Sequence, residues 1–274
     1  MSCCCCPVTL IVAAGIAFFL YKKFTKKPAQ LRETNWKKDV VYLYQFPQVK
    51  TARNLSPFCL KIETFLRINK ISYELRDTVL ARSEHGLLPF IELNGEHIAD
   101  SKIIEQRLIA HFDVKPVGTE QDEAVGHLIS RAFDLHTFFL FIHFKIAEPE
   151  KMIALLSGFG LPKILLPVLV PIAACLFKRK ANKKVSGALG GLYSESDFKS
   201  QLKLDLQALD TVLSDKKYLG GDKISTHDCG VFGQLTTVYY PFDNYCKDAI
   251  DEFPRLVKYM ENIREEVFPR DFTL

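Results

Sequence analysis

A change of pattern near residue 113 limits what this chain can fold into more than any other feature of its sequence. Before it, short runs of β-branched and aromatic residues alternate with amphipathic segments, whereas beyond residue 120 apolar residues recur at helical spacing. The runs that predict strands are 40–46, 71–76, 89–93 and 96–99, the last two joined by an Asn94-Gly95 turn. The sequence therefore predicts a mixed α/β domain followed by an all-α domain.

Two helix starts complete the first domain. Ser56-Pro57 follows the first strand, and serine at the N-cap with proline at the first helical position favours a helix there. Asp100-Ser101 follows the hairpin and begins a second helix that runs to about Phe112. The resulting order, β-α-β and then β-β-α, is typical of a thioredoxin-like domain, which we place at residues 38–113.

The second domain, residues 114–274, is predicted to be all-helical. Ser225 and Asp228 have the spacing of a capping box, which marks one helix start. Apolar faces at helical spacing predict helices that begin near Glu120, Glu195, Ser225 and Pro254.

An insertion at 158–190 interrupts this helical pattern. Residues 161–177 are almost purely apolar but contain three prolines, and five lysines and arginines follow within 178–184. Because proline in a helix interior removes a hydrogen bond and clashes with the preceding turn, a regular helix is not expected here. Two alternatives stay open: a segment that lies on an anionic membrane surface, or a buried loop with a solvated basic tail.

The first 27 residues have the pattern of a membrane anchor. Residues 3–21 carry no charge, and as a helix they would span about 28 Å, close to the thickness of the hydrocarbon core. Four lysines follow and no basic region precedes the run, which favours a transmembrane signal-anchor over a cleaved signal peptide. The positive-inside rule then places the folded part in the cytosol, behind a linker at 28–37. A peripheral hydrophobic tail is the alternative.

The spacing of the cysteines and the distribution of charge argue against a metal-binding protein and a nucleic-acid-binding protein. Adjacent thiols such as Cys3 to Cys6 are poor tetrahedral metal ligands, so S-acylation and plain apolar packing are the alternatives for them. The other four cysteines are isolated, which fits reduced thiols in the cytosol, and no metal site is predicted. The four lysines within 22–27 account for the whole net charge of +4, so the folded part is neutral and a nucleic-acid binder is disfavoured.

Four stretches carry a resemblance to a known family: 55–67 (LSPFCLKIETFLR), Asp100-Ser101, 218–225 (YLGGDKIS) and 253–256 (FPRL). On these residues the chain resembles the failed-axon-connections family and the related cadmium-inducible lysosomal proteins, which are glutathione-transferase-like and related to metaxins. The resemblance implies a thioredoxin-like domain followed by a helical domain of glutathione-transferase type. It also implies a role in stress or cadmium detoxification on a lysosomal or other endomembrane.

The resemblance implies glutathione as a substrate or ligand and indicates four residues that would hold it. In such folds the backbone of the tripeptide pairs with the residue before a cis-proline, here Leu88 before Pro89. Asp100 and Ser101 match the acidic-serine pair that holds the γ-glutamyl end at a helix N-terminus. A plain N-cap is the alternative for this pair.

Ser56 and Cys59 are the candidate catalytic residues. A hydroxyl at the start of the first helix, aided by the positive helix end, can hydrogen-bond the glutathione sulfur and favour its thiolate. The N-cap role alone also explains Ser56. Cys59 stands where the second cysteine of a redox C-x-x-C pair would be, but serine replaces the first, which argues against dithiol chemistry. Cys59 is expected in the core, and a monothiol role for it stays open.

Two hypotheses for the function follow. In one, the protein is an enzyme that conjugates glutathione to an electrophile; in the other, the fold is a non-catalytic scaffold that acts through a protein partner or a second copy of the chain. The histidines of the first helix in the second domain lack the i, i+4 spacing of a helical metal site. They are His127, His136 and His143. The neighbouring phenylalanines line either a co-substrate pocket or the core. They are Phe138, Phe139, Phe141 and Phe144.

Overall fold

The computed structural model describes residues 31–147, 166–189, 191 and 193–273. Its first part is the predicted thioredoxin-like domain. The elements are β1 (Val41–Gln45), α1 (Pro57–Ile68), β2 (Tyr73–Asp77), β3 (Phe90–Leu93), β4 (Glu96–Ala99) and α2 (Ser101–Phe112). The strands lie in the order β2-β1-β3-β4, with β1 parallel to β2 and the other pairs antiparallel.

The inner face of the sheet is covered by the two helices of this domain. Leu43 on β1 is paired with Leu75 on β2 and Ile91 on β3, and Leu43 and Ile91 belong to one buried cluster with Phe65 of α1 and Leu108 of α2. The hairpin turn is tight because Gly95 takes a positive φ of 79°, which glycine adopts without strain.

No helix covers the outer face of the sheet within the described residues of this domain, because residues 78–89 between β2 and β3 form a loop. Residues 31–39, which we call the strap, lie against this face. The buried carboxylate of Glu92 accepts hydrogen bonds from the backbone N–H groups of Arg32 (2.9 Å) and Glu33 (2.8 Å). Further along, the N–H of Lys37 donates to the Tyr42 hydroxyl at 2.9 Å. The described part of the predicted linker is therefore bonded to the sheet.

The second domain is all-helical in its described part, as predicted. A single π-helical turn at Phe133–Thr137 joins its first two helices. The helices are α3 (Glu120–Ala132), α4 (Phe138–Ala147), α5 (Leu166–Leu189), α6 (Glu195–Leu213), α7 (Thr226–Tyr239), α8 (Tyr245–Asp251) and α9 (Pro254–Val267). Capping boxes begin three of them, including the predicted Ser225–Asp228 box at the start of α7.

The expectation that prolines prevent a regular helix in the insertion is wrong for residues 166–189. Pro167 and Pro171 both belong to α5, and the helix continues past Pro171 although this proline removes one hydrogen bond from its interior. Ala174, Ala181 and Val185 are buried on one face, while the basic residues of 178–184 are exposed. Pro162 lies outside the described residues.

The two domains meet through α1 and α7, whose axes approach closely at a glycine. A Cβ atom on Gly233 would lie 2.5 Å from the carbonyl oxygen of Pro57, so only glycine fits there. A buried ion pair adds to this contact, since Lys61 on α1 lies 2.6 Å from Glu105 on α2 and 3.7 Å from Asp134 in the π turn. The start of α1 is thereby fixed against the helical domain.

Among the helices within residues 31–147, 166–189 and 193–273, none combines the length and the apolar character needed to cross a bilayer. The predicted transmembrane anchor at 1–27 lies outside the described residues.

Candidate functional site

A cleft of about 340 Å³ opens where the 78–89 loop, β3 and the start of α2 come together. It is lined by Phe58, Ser83, His85, Leu87, Leu88, Pro89, Asp100 and Ser101. All four residues that the sequence predicted for glutathione binding line this one cleft. Ser56 and Cys59 are not among its lining residues.

Leu88 lines the cleft next to a cis-proline. The Leu88–Pro89 peptide bond is cis, as the resemblance implied. β3 begins only at Phe90, and within the described chain neither the N–H nor the C=O of Leu88 bonds another backbone group. An extended ligand can therefore pair with this residue as an added strand would.

The sequence left two roles open for Asp100 and Ser101, that of a helix N-cap and that of a ligand-binding pair, and the structure shows which of the two residues is the cap. The carboxylate of Asp100 is the N-cap of α2, accepting from the N–H of Lys102 at 2.9 Å and of Ile103 at 3.4 Å. Asp100 has a positive φ of 73°, a backbone conformation that L-residues rarely adopt. Ser101 is only 7% exposed, and its hydroxyl forms no hydrogen bond with any described residue. Among the described residues, the Ser101 hydroxyl therefore has no hydrogen-bond partner, unlike most buried hydroxyls.

The sequence analysis did not select Phe58, His85 or Leu87 as site residues. Phe58 is the second residue of α1, and its ring lies 4.9 Å from that of Phe138 in the helical domain. This contact places an apolar wall between the two domains at the cleft. The only sequence signal for His85 and Leu87 was their position in the loop just before Leu88-Pro89.

Ser56 serves as the N-cap of α1. Its hydroxyl accepts a hydrogen bond from the N–H of Cys59 at 3.4 Å, and its own N–H donates to the side chain of Asn54 at 3.0 Å. The residue is half-buried. The structure thus gives Ser56 the role of helix cap, two residues before the cleft residue Phe58.

Cys59 lies in the core. Its side chain is fully buried, and burial raises the pKa of its thiol to about 12 despite the hydrogen bonding near Ser56 and Phe46. Because the thiolate is the nucleophilic form, this thiol is inert at neutral pH.

Comparison with known proteins agrees with the two-domain fold. Residues 57–151 match the family model of the glutathione S-transferase N-terminal domain, and residues 202–263 match the model of the C-terminal domain. The chain is 30% identical to Failed axon connections of Drosophila melanogaster over 94% of its length. The chain therefore belongs to the glutathione S-transferase-like proteins and is similar to Failed axon connections. It spans 65% of the length of that fly protein.

Two further members of the wider glutathione transferase group are similar to this chain. An isoprene-epoxide glutathione S-transferase from a Rhodococcus species is 23% identical, and the match covers 78% of this chain and 93% of the Rhodococcus enzyme. A glutathione S-transferase of Ceriporiopsis subvermispora, solved in complex with glutathione, is 19% identical. It covers 82% of this chain and 97% of its own with a TM-score of 0.54, which establishes a shared fold.

Two of the three histidines selected in this glutathione-transferase-like chain, His136 and His143, bond acidic side chains, whereas the ring of His127 lies 6.2 Å from that of His227. His136 lies 2.9 Å from Asp205, and His143 lies 2.8 Å from Glu195 while its ring stacks on Phe198. Within the described part of the chain, no three His, Cys, Asp or Glu side chains are grouped so that they could hold a metal ion. Of the four phenylalanines, Phe141 and Phe144 are buried in the core and Phe138 reaches the cleft wall through Phe58.

Proposed function

We propose that this chain binds glutathione in the cleft between Leu88 and Ser101. The observation that carries the proposal is that two unsatisfied polar groups, the Leu88 backbone and the Ser101 hydroxyl, line one cleft in a glutathione-transferase fold. The Ser101 hydroxyl at the start of α2 suits the γ-glutamyl carboxylate, because helix N-termini favour anions. The Leu88 backbone suits the extended peptide part of the ligand. Phe58 supplies apolar surface beside them.

Ser101→Ala is expected to weaken glutathione binding about 10-fold, since a hydrogen bond to a charged group contributes about 1.5 kcal/mol or more. Isothermal titration of the full chain in detergent measures the effect. Ser130→Ala is the matched control, because its hydroxyl donates within its own helix to the carbonyl of His127 and lies outside this cleft. Equal affinity of Ser101→Ala and the unmodified chain would contradict the proposed site.

We further propose that the bound thiol is turned over with help from Ser56, as in serine-type transferases. Ser56→Asn is expected to lower conjugation of glutathione to chlorodinitrobenzene about 10- to 100-fold, the loss of a bond of about 1.5–3 kcal/mol in the transition state. Asparagine keeps the N-cap, so the fold is retained. Cys59→Ala is the control and should keep activity apart from a small packing loss.

The capping role of Ser56 supports a second candidate function, the scaffold that acts through a protein partner or a second copy of the chain. Binding that depends on Ser101, without turnover in the unmodified chain, would favour the scaffold. Activity that disappears in Cys59→Ala and persists in Ser56→Asn would mean that the chemistry is at Cys59.

We propose that residues 1–27 anchor the protein in a membrane, with the folded domains on the cytosolic side. By family resemblance, the membrane is lysosomal or another endomembrane, and the role is in stress or cadmium detoxification. The support is the charge-free run at 3–21 and the lysines after it. The full chain should resist alkaline carbonate extraction, whereas a chain lacking residues 1–27 should appear in the wash. Full-length protein in the wash would contradict the spanning anchor.

A further inference from the structure

We propose that the rim of the glutathione cleft, formed by the 78–89 loop and the start of the strap, rests against the surface of the membrane in which the chain is anchored. This inference depends on the anchoring proposed above. Three features support this orientation: the position of the strap, the short length of chain between the predicted span and the strap, and the apolar side chains that the rim exposes.

The strap fixes the point at which the N-terminal segment meets the folded domain. Glu92 holds the backbone of Arg32 and Glu33 on the outer face of the sheet, and an ion pair of 2.8 Å between Glu33 and Arg76 adds to this attachment. The guanidinium of Arg32 lies 5.8 Å from the centroid of the Phe90 ring, and Phe90 directly follows the cleft residue Pro89. The chain therefore joins the domain beside the cleft.

His97 on β4 packs beside Phe90, the residue that Arg32 of the strap also contacts. The centroids of the His97 and Phe90 rings lie 4.7 Å apart. Burial lowers the pKa of His97, and the charge of Glu92 opposes this shift. The strap and β4 therefore lie against the same phenylalanine, next to the cleft residue Pro89.

The tether between the predicted span and the strap is short. Ten residue steps separate Tyr21 from Leu31, which at about 3.4 Å each reach at most about 35 Å. A folded part of about 240 residues has a radius of gyration of about 18 Å and so a diameter of about 45 Å. The tether is shorter than that diameter, so the side of the domain that carries the strap cannot point away from the bilayer.

The rim presents apolar side chains to solvent on this side. Leu80 and Leu87 in the loop are 88% and 57% exposed, and Leu31 at the start of the strap is 41% exposed. Each exposed leucine that enters the lipid interface removes apolar surface from water. Arg32 adds positive charge at the start of the strap, and four lysines occur within 22–27 of the preceding sequence, which suits an anionic lipid surface.

Tryptophan quenching by brominated lipid tests this orientation. Trp36 is the only tryptophan of the chain, so a Trp36→Phe background is free of other indole emission. In that background Leu87→Trp and Leu80→Trp place a probe on the rim, and Leu204→Trp on α6 is the matched control, because Leu204 is 55% exposed against 57% for Leu87. Full-length variants are reconstituted in phosphatidylcholine–phosphatidylserine vesicles, and flotation confirms attachment.

Brominated acyl chains are expected to reduce the emission of the two rim probes and to leave the Leu204→Trp emission unchanged. The emission maximum of the rim probes should also shift to shorter wavelength on reconstitution. Protein that floats with the vesicles while both rim probes remain unquenched overturns the docking of the rim and leaves the anchor intact. Equal quenching of rim and control probes overturns it too. Protein that does not float overturns the anchor and with it this inference.

Discussion

Glu63→Ala is expected to lower the free energy of unfolding by about 3–5 kcal/mol, because it removes the shared partner of the buried Arg53 and the half-buried Arg67. Glu63 is fully buried on α1 and accepts hydrogen bonds from Arg53 at 2.7 Å and Arg67 at 2.9 Å. It also accepts from Gln45 at 3.0 Å and from Tyr73 at 3.2 Å. Without the carboxylate, the guanidinium of Arg53, a residue that is only 8% exposed, stays buried without its main counter-charge.

Glu74→Ala is the matched control for Glu63→Ala. Its carboxylate also pairs with cations, Lys37 and Arg76, both at 2.9 Å, but this pair lies at the surface. Surface pairs of this kind contribute less than about 1 kcal/mol. Urea unfolding followed by circular dichroism gives both values. Similar losses in the two variants would mean that burial of the Glu63 network does not matter for stability.

Asp228→Ala is the second change with a large expected effect, a loss of about 3–5 kcal/mol in the free energy of unfolding. Asp228 is fully buried, and its carboxylate accepts from the N–H groups of Leu219 (2.9 Å) and Ser225 (2.7 Å) and from the hydroxyl of Tyr259 (2.8 Å). Each donor left unpaired in the core costs about 1–3 kcal/mol. The residue therefore ties three separate parts of the helical domain together.

The chain offers a second capping box as a control for Asp228→Ala. Ser194 and Asp197 repeat the same local bonds at the start of α6, but Asp197 is exposed and bonds only to Ser194. Because Asp197 has no other bond among the described residues, Asp197→Ala should cost only about 1 kcal/mol, the usual value of a helix cap. The difference between the two variants in thermal or urea unfolding measures the tertiary bonds to Leu219 and Tyr259. No difference would reduce Asp228 to an ordinary cap.

Features of the fold that depend on neighbouring residues could be predicted from the sequence. Ser56-Pro57, Asp100 and the Ser225–Asp228 box start helices through bonds that close within three residues, so the local pattern is sufficient. The Asn94-Gly95 turn is equally local. The pairing of Leu88-Pro89 with Asp100-Ser101 in one cleft came from the family resemblance, since no periodicity brings these residues together.

Features that depend on distant partners could not be predicted. The sequence analysis assigned most of the strap to a linker. Its attachment depends on Glu92, which lies 60 residues after Arg32, and a bond from a backbone N–H to a side chain leaves no periodic pattern in the sequence. Glu63, as a charged residue on a helix, gives no sign in the sequence that it is buried. Phe58 could not be recognised as a lining residue of the cleft, because that depends on where the 78–89 loop lies relative to α1. The helix through Pro171 forms although the local rule disfavours it.

The attachment of the strap also limits how this part of the protein can evolve. Glu92 binds the main-chain amides of Arg32 and Glu33, and every residue except proline carries such an amide. Apart from the half-exposed pair of Glu33 with Arg76, which contributes little, the attachment does not depend on which side chains occupy positions 32 and 33. Related chains can therefore drift in sequence along the strap and keep its position, provided that one acidic residue on the third strand is retained.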